Sequence, residues 1–149
     1  MRSHDASDCC AAEATGLAEA LIFEIADRLQ EFATTGKDAA IDLRGLPMTE
    51  ADREALATRL GRGEVQAVVE VAGRSEVWET AYSGVWWVRH LGADGQVAAE
   101  EIAITRVPAF LASHPEDVRA AAQVLRSECL EPSPRPERDD SEQGEGTHA

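Results

Sequence analysis

Cysteine is nearly absent: three in 149 residues, of which Cys9 and Cys10 are adjacent and Cys129 is remote. Three cysteines cannot all pair within one chain, so no disulfide framework is implied and a reducing compartment fits. No apolar run approaches the ~18 residues that a membrane span requires, and the polar start Met1-Arg2-Ser3-His4-Asp5 is not followed by the apolar core of a signal peptide. A cytoplasmic protein without membrane insertion is expected. Positive charge is also scarce. Lys and Arg number 14 against 28 Asp and Glu, a formal net charge of -14, and such a field repels phosphate backbones and argues against a nucleic-acid partner. Catalytic signatures are missing as well: there is no GxGxxG, P-loop, GxSxG or HExxH. Gly61-Arg62-Gly63-Glu64 lacks the further glycine and the preceding strand of a dinucleotide site, and reads as a helix stop.

What is present suffices for one domain, since 44% of the residues are hydrophobic and a chain of this length buries a core without staples. Residues 1–15 lack long aliphatic side chains and residues 131–149 combine Pro, Gly, Ser and like charges, so both read as disordered tails around a domain at 16–130. Leu17, Leu21, Ile22, Ile25, Leu29 and Phe32 recur at helical steps and predict an amphipathic helix ending near Gly36. Ala40 to Leu43 reads as a short strand. Thr49 and Asp52 form a capping box for a second helix that carries Leu56 and Leu60, and Ser113 with Glu116 caps a third, with Val118, Ala121, Ala122, Leu125 and Cys129 on one stripe. On that stripe Cys129 is expected to be a buried small hydrophobe rather than a nucleophile.

Between Glu64 and Val107 the period changes to two, and turns at Gly73, Ser83-Gly84 and Asp94-Gly95 divide the segment into four antiparallel strands. The expected fold class is therefore α+β: a four-stranded antiparallel meander plus a short additional strand, with about three helices packed mainly on one sheet face. Two-residue loops at Ser83-Gly84 and Asp94-Gly95 place Thr80 opposite Trp87, Trp78 opposite Arg89, Trp87 opposite Ile102 and Val85 opposite Ile104. A four-residue loop at 72–75 places Val69 opposite Trp78. One face then collects Val65, Ala67, Val69, Val71, Trp78, Tyr82, Val85, Trp87, Leu91, Ile102 and Ile104 as the core.

Adjacent strand residues point to opposite faces, so Trp86 and Trp87 cannot enter the same core. In this register Trp86 shares the second face with Val68, Val77 and Val88, rimmed by Glu70, Glu79, His90 and Glu101. An apolar patch of that kind marks either a partner surface or a face covered by a helix or loop. The candidate partner-binding set is Val68, Glu70, Val77, Glu79, Trp86, Val88 and His90. No catalytic, cofactor or metal site is expected: His90, Glu79 and Glu101 share a face but find no nucleophile or oxyanion hole. His4, Asp5, Asp8, Cys9 and Cys10 are metal-ligand types whose vicinal cysteines lack the spacer that lets two thiolates grip one ion.

Four separated blocks carry a resemblance: Ile41-Asp42-Leu43-Arg44-Gly45-Leu46-Pro47-Met48-Thr49, Leu60-Gly61-Arg62-Gly63-Glu64-Val65, Trp78-Glu79-Thr80 and Gly84-Val85-Trp86-Trp87-Val88. In order and spacing they resemble the carboxy-terminal conserved region of hydrogenase expression/formation proteins of the HupH/HyaF type, over about residues 17–125. The resemblance implies a non-catalytic accessory or chaperone in the maturation of nickel-iron hydrogenase. Its implied partner is the iron-sulfur small subunit precursor before export. Other maturation proteins are further expected partners, and the exposed Trp86 face allows a homodimer. The resemblance transfers no catalytic motif. The alternatives are a metal- or redox-active accessory enzyme and a structural paralogue that self-associates through the Trp86 face.

Overall fold

The computed structural model describes residues 13–70 and 73–131, which divide between two compact units, Met1–Ala112 and Ser113–Ala149. The metal-ligand types at residues 4–10, Val71, and all but one residue of the carboxy-terminal tail lie outside the described residues.

In the first unit, helix α1 (Leu17–Thr35) is followed by strand β1 (Ala39–Asp42), helix α2 (Glu50–Leu60) and strands β2 (Gln66–Glu70), β3 (Arg74–Glu79), β4 (Val85–Leu91) and β5 (Val97–Ile104). The sheet is antiparallel, in the order β1-β5-β4-β3-β2. The meander and the additional strand are thus as the periodicity predicts. α1 buries Ala18, Leu21 and Ile25, and α2 buries Leu56 and Leu60. With Ile41, Leu43, Trp78, Val85, Trp87 and Ile102 these make the main core cluster. Helix propensity alone does not hold an eleven-residue helix such as α2 in water; burial against this sheet face does.

The capping box at Thr49 is formed in both directions, and the structure builds more onto it. Asp52 is fully buried. Its carboxylate accepts from the Thr49 amide (3.1 Å), and from the Thr15 amide and hydroxyl (2.8 Å each). The Thr49 hydroxyl has one proton and two acceptors in reach, Asp52 Oδ2 at 3.0 Å and the Glu13 carbonyl at 3.3 Å. Glu13 and Thr15, inside the span read as a tail, therefore tie the chain ahead of α1 to the start of α2.

Burial raises the Asp52 pKa. The bonds from Thr49 and Thr15 outweigh that effect and lower it from 3.8 to about 2. Because the folded value lies below the unfolded one, this carboxylate stabilises the fold above about pH 4, and the contribution is lost as pH falls through about 2. Asp52→Asn is expected to lower stability at pH 7 and to converge with the wild type near pH 2, in urea unfolding measured across that window. A gap that stays constant with pH would overturn the assignment.

The registers hold in one hairpin and move in two. β4 and β5 pair Val85 with Ile104 and Trp87 with Ile102 as expected, with a bulge at His90/Leu91. Between β3 and β4 the connection is longer than two residues: Trp78 faces Trp87, and the Thr80 amide donates to the Val85 carbonyl (2.9 Å). The cause is local. The buried Thr80 hydroxyl accepts from the Tyr82 amide (3.2 Å), closing a turn that uses Ala81 to Gly84. This shift is even and leaves the faces unchanged.

Between β2 and β3, Glu70 pairs with Arg74, so that Val69 lies opposite Ser75 and Gln66 opposite Trp78. That shift is odd and inverts β2. Ala67 and Val69 join the second face, whereas Gln66, Val68 and Glu70 stand on the face of Trp78. Val65 and Tyr82 are exposed and leave the expected core.

In the second unit, α3 (Pro115–Leu130) takes His114 as its N-cap rather than Ser113. The His114 ring accepts from the Glu116 amide (3.3 Å), and Pro115 occupies the first turn, where no donor is lost. The stripe of Val118, Leu125 and Cys129 is exposed. This corrects the expectation of a buried Cys129: a helix stripe is buried only by what packs on it, and α3 is the sole helix or strand in its unit among the described residues.

Candidate functional site

The end of α2 sets the geometry. Gly61 has φ +65°, and a Cβ on Gly63 would stand 2.6 Å from the Thr80 carbonyl oxygen. These two positions need glycine, the first for its backbone angle and the second for close approach. The chain from Leu60 to Val65 is thereby laid along β3, with bonds from Ala81 N–H to the Leu60 carbonyl (3.0 Å), Gly63 N–H to the Glu79 carbonyl (2.8 Å) and Glu79 N–H to the Val65 carbonyl (2.9 Å).

This strap delivers Arg62 onto Trp78, with the guanidinium carbon 4.2 Å from the indole centroid. Trp78 stacks on Trp87 beneath it, centroids 5.6 Å apart and planes at 13°. Arg89 approaches Trp78 at 5.5 Å. The arrangement is a layered cation–π and stacking assembly.

Below it lies Glu100, 3% exposed. It accepts from Trp87 Nε1 (2.8 Å), from Arg89 Nε and Nη2 (3.2 and 2.9 Å) and from Arg53 of α2. One buried carboxylate thus serves two guanidiniums and an indole. A hollow of about 210 Å³ opens beside Arg53, Arg62, Trp78 and Arg89, and another of about 440 Å³ lies between Arg62, Trp78 and the β2 edge. Arg62 is exposed and forms no salt bridge among the described residues. Chemically this shelf suits a carboxylate or a planar group of a client.

The second face is arranged differently from the expectation. Trp86 is 4% exposed and clusters with Val77, Val88 and Ala103, with Ala67 and Leu111 packed against them. A short 3₁₀ turn, Ala109–Leu111, supplies Leu111. The Trp86 indole N–H donates to the Thr105 carbonyl (3.1 Å). Of the seven residues proposed for partner binding, Val77, Trp86 and Val88 are therefore buried, and the alternative of a covered face is the one realised.

Val68 and Glu70 stand on the opposite face, because β2 is inverted. Glu79 Oε1 accepts from the Gly84 amide (3.1 Å), a hairpin support. The His90 ring meets Ser75 Oγ at 2.7 Å and lies edge-on to Phe110. Ser75 and His90 touch as a nucleophile and base would. The bond is made by Nδ1, and no further side chain among the described residues hydrogen-bonds the ring to orient it, which leaves a cross-strand hydrogen bond. Among the described residues no group of three or more His, Cys, Asp or Glu could hold a metal ion.

Sequence reasoning missed Arg53, Arg62, Arg89 and Glu100. A signal existed for two of them: the same pairing that sets Trp87 opposite Ile102 sets Arg89 opposite Glu100 on the core face. An ion pair at core parity on neighbouring strands is a buried pair in waiting.

Residues 17–131 match the family described as HupH hydrogenase expression protein, C-terminal conserved region. The chain belongs to this family. The solved structure of hydrogenase expression protein HupH from Thiobacillus denitrificans ATCC 25259 is 41% identical and superposes with a TM-score of 0.73, covering 79% of this chain and all of that one. Hydrogenase expression/formation protein HoxQ of Azotobacter vinelandii is 31% identical over 87 residues, 58% of this chain and 31% of the relative. HupH of Rhizobium leguminosarum bv. viciae is 31% identical over 91 residues, 60% of this chain and 32% of the relative. The chain spans about a third of the length of these curated relatives.

Three of the four blocks that carry the HupH resemblance meet at the shelf just described. The Leu60–Val65 block is the strap, Trp78-Glu79-Thr80 is the strand it lies on, and Gly84 to Val88 supplies the stacked Trp87 and the hairpin. The remaining block, Ile41 to Thr49, ends in the α2 cap. The blocks thus hold one junction of α2, β3 and β4.

Proposed function

We propose that this chain is a non-catalytic accessory of nickel-iron hydrogenase maturation, which binds the iron-sulfur small subunit precursor in the cytoplasm before export. The observation that carries the reading is the HupH match through the whole of α1 to β5 and onward through α3. The net charge of -14 favours encounter with an arginine-bearing precursor. Among the described residues no helix is long and apolar enough to cross a membrane.

The Trp86 face is covered, so the docking surface is proposed at the exposed Arg62, above the buried Trp78, and at the two hollows beside it. The client is expected to present a carboxylate or aromatic group to Arg62. Arg62→Ala leaves the buried Glu100 cluster in place and should weaken capture of purified small subunit precursor about tenfold, while stability falls only by the one exposed cation–π contact, about 0.5 to 1 kcal/mol. Capture unaffected by Arg62→Ala would remove this surface while leaving the client; no binding of precursor by the wild type would overturn the client itself.

A further inference from the structure

The sheet ends at β2, and nothing among the described residues pairs with its outer side. The bond from Glu79 N–H to the Val65 carbonyl (2.9 Å) fixes which groups look outward. Bonded pairs alternate along an antiparallel ladder, so Ala67 and Val69 spend their main-chain groups on β3, as the Val65 carbonyl does, while Gln66, Val68 and Glu70 direct theirs to the open edge. Natural edges are blunted by charged side chains, lysine above all, by proline, by bulges or by extreme shortness. The strand Gln66-Ala67-Val68-Val69-Glu70 has no lysine, proline or bulge, and its one charge, Glu70, stands at its end. The opposite edge, β1, is only four residues long.

We infer that the β2 edge pairs with the β2 edge of a second copy of this chain, antiparallel about a two-fold axis at Val68, joining two five-stranded sheets. The sequence of the strand is self-complementary in this register. Val68, 54% exposed in the single chain, meets its own copy across the axis, and each Gln66 stands opposite the second copy's Glu70. Each carboxylate therefore faces an amide rather than another carboxylate, on the face where Arg62 borders Gln66 and Val68 around the larger hollow. All outward groups find partners, in about six main-chain hydrogen bonds. A one-residue slip would turn Val68 against the inward-bonded groups, and a two-residue slip would juxtapose unlike positions and leave donors unpaired.

The contact is small by the standard of stable interfaces, so a concentration-dependent dimer is expected rather than a permanent one. The inference is independent of the maturation reading. Its test uses the full chain without any client.

Sedimentation equilibrium of the wild type, up to about 1 mM and at ~0.15 M salt, where charges beyond about 8 Å are screened, should show monomer and dimer in exchange. Gln66→Glu opposes two carboxylates at each end and should weaken the dimer about tenfold or more. Gln66→Glu combined with Glu70→Lys restores opposite charges across the axis and should recover it. Both positions are exposed, and circular dichroism is expected to be unchanged in each variant. An isotope-filtered NOE between labelled and unlabelled copies should place Val68 against Val68. A wild type that stays monomeric throughout overturns the inference. So does a dimer that is indifferent to Gln66→Glu, or one not rescued by the double change.

Discussion

Replacing Trp86 by alanine should destabilise the first unit by about 3 to 5 kcal/mol, as much as replacing Trp87. The two indoles are neighbours in sequence and point to opposite faces, and both are buried, at 4% and 2% exposure. Trp87 is held between Trp78 and Glu100 beneath α1 and α2. Trp86 is enclosed by Val77, Val88 and Ala103 with Leu111 packed on them, and its N–H is satisfied by the Thr105 carbonyl. Truncation at either position leaves a large cavity, and at 86 it also orphans that carbonyl. Urea unfolding of the two alanine variants checks the prediction. A Trp86→Ala loss of less than about 1 kcal/mol would mean that the second face is open in solution, and would return it to the candidate docking surfaces.

Glu100→Ala should cost a comparable amount, about 3 to 5 kcal/mol, because it removes the one carboxylate shared by Arg53, Arg89 and the Trp87 indole. The loss is not the worth of the ion pairs. It is the penalty of leaving two guanidiniums side by side, partly buried and uncompensated, together with an unpaired indole N–H. Glu100→Gln should fall between wild type and Glu100→Ala, since the amide oxygen still accepts one bond while the charge is gone. Adding Arg89→Leu to Glu100→Ala should recover part of the loss, so that the double variant is more stable than the sum of the singles implies. Chemical denaturation of wild type, Glu100→Ala, Arg89→Leu and the double variant measures this coupling. Strict additivity would show that the two residues act independently despite their 2.9 Å contact.

The Glu100 cluster also bears on the proposed docking surface. Arg62 lies on the solvent side of Trp78, while Arg89 and Arg53 support the same stack from beneath through Glu100. Variants in the lower layer are expected to lose stability first and binding as a consequence. Variants at Arg62 should lose binding with little loss of stability.

The sequence by itself determined the element order, the α+β class, the α2 cap and the pairing of β4 with β5. Each is a local property: a helical or two-residue period, a Thr49-Asp52 spacing, an Asp94-Gly95 turn. It also carried the family resemblance, through blocks in which Gly63 allows a close backbone approach and Trp78 and Trp87 form a stacked pair.

Only the tertiary structure decided which face β2 presents. The three residues between Glu70 and Arg74 shift the register by an odd number, and one odd shift moves Val68 and Glu70 away from Trp86. Tertiary structure likewise decided the fates of Trp86 and Glu100. Whether an apolar strand residue is a docking anchor or core depends on what lies over it, and Leu111 arrives from a turn distant in sequence. A buried carboxylate becomes tolerable only when Arg53, from α2, and Arg89, from the neighbouring strand, converge on it. Local patterns encode what a residue needs, and the packing of distant segments decides what meets that need.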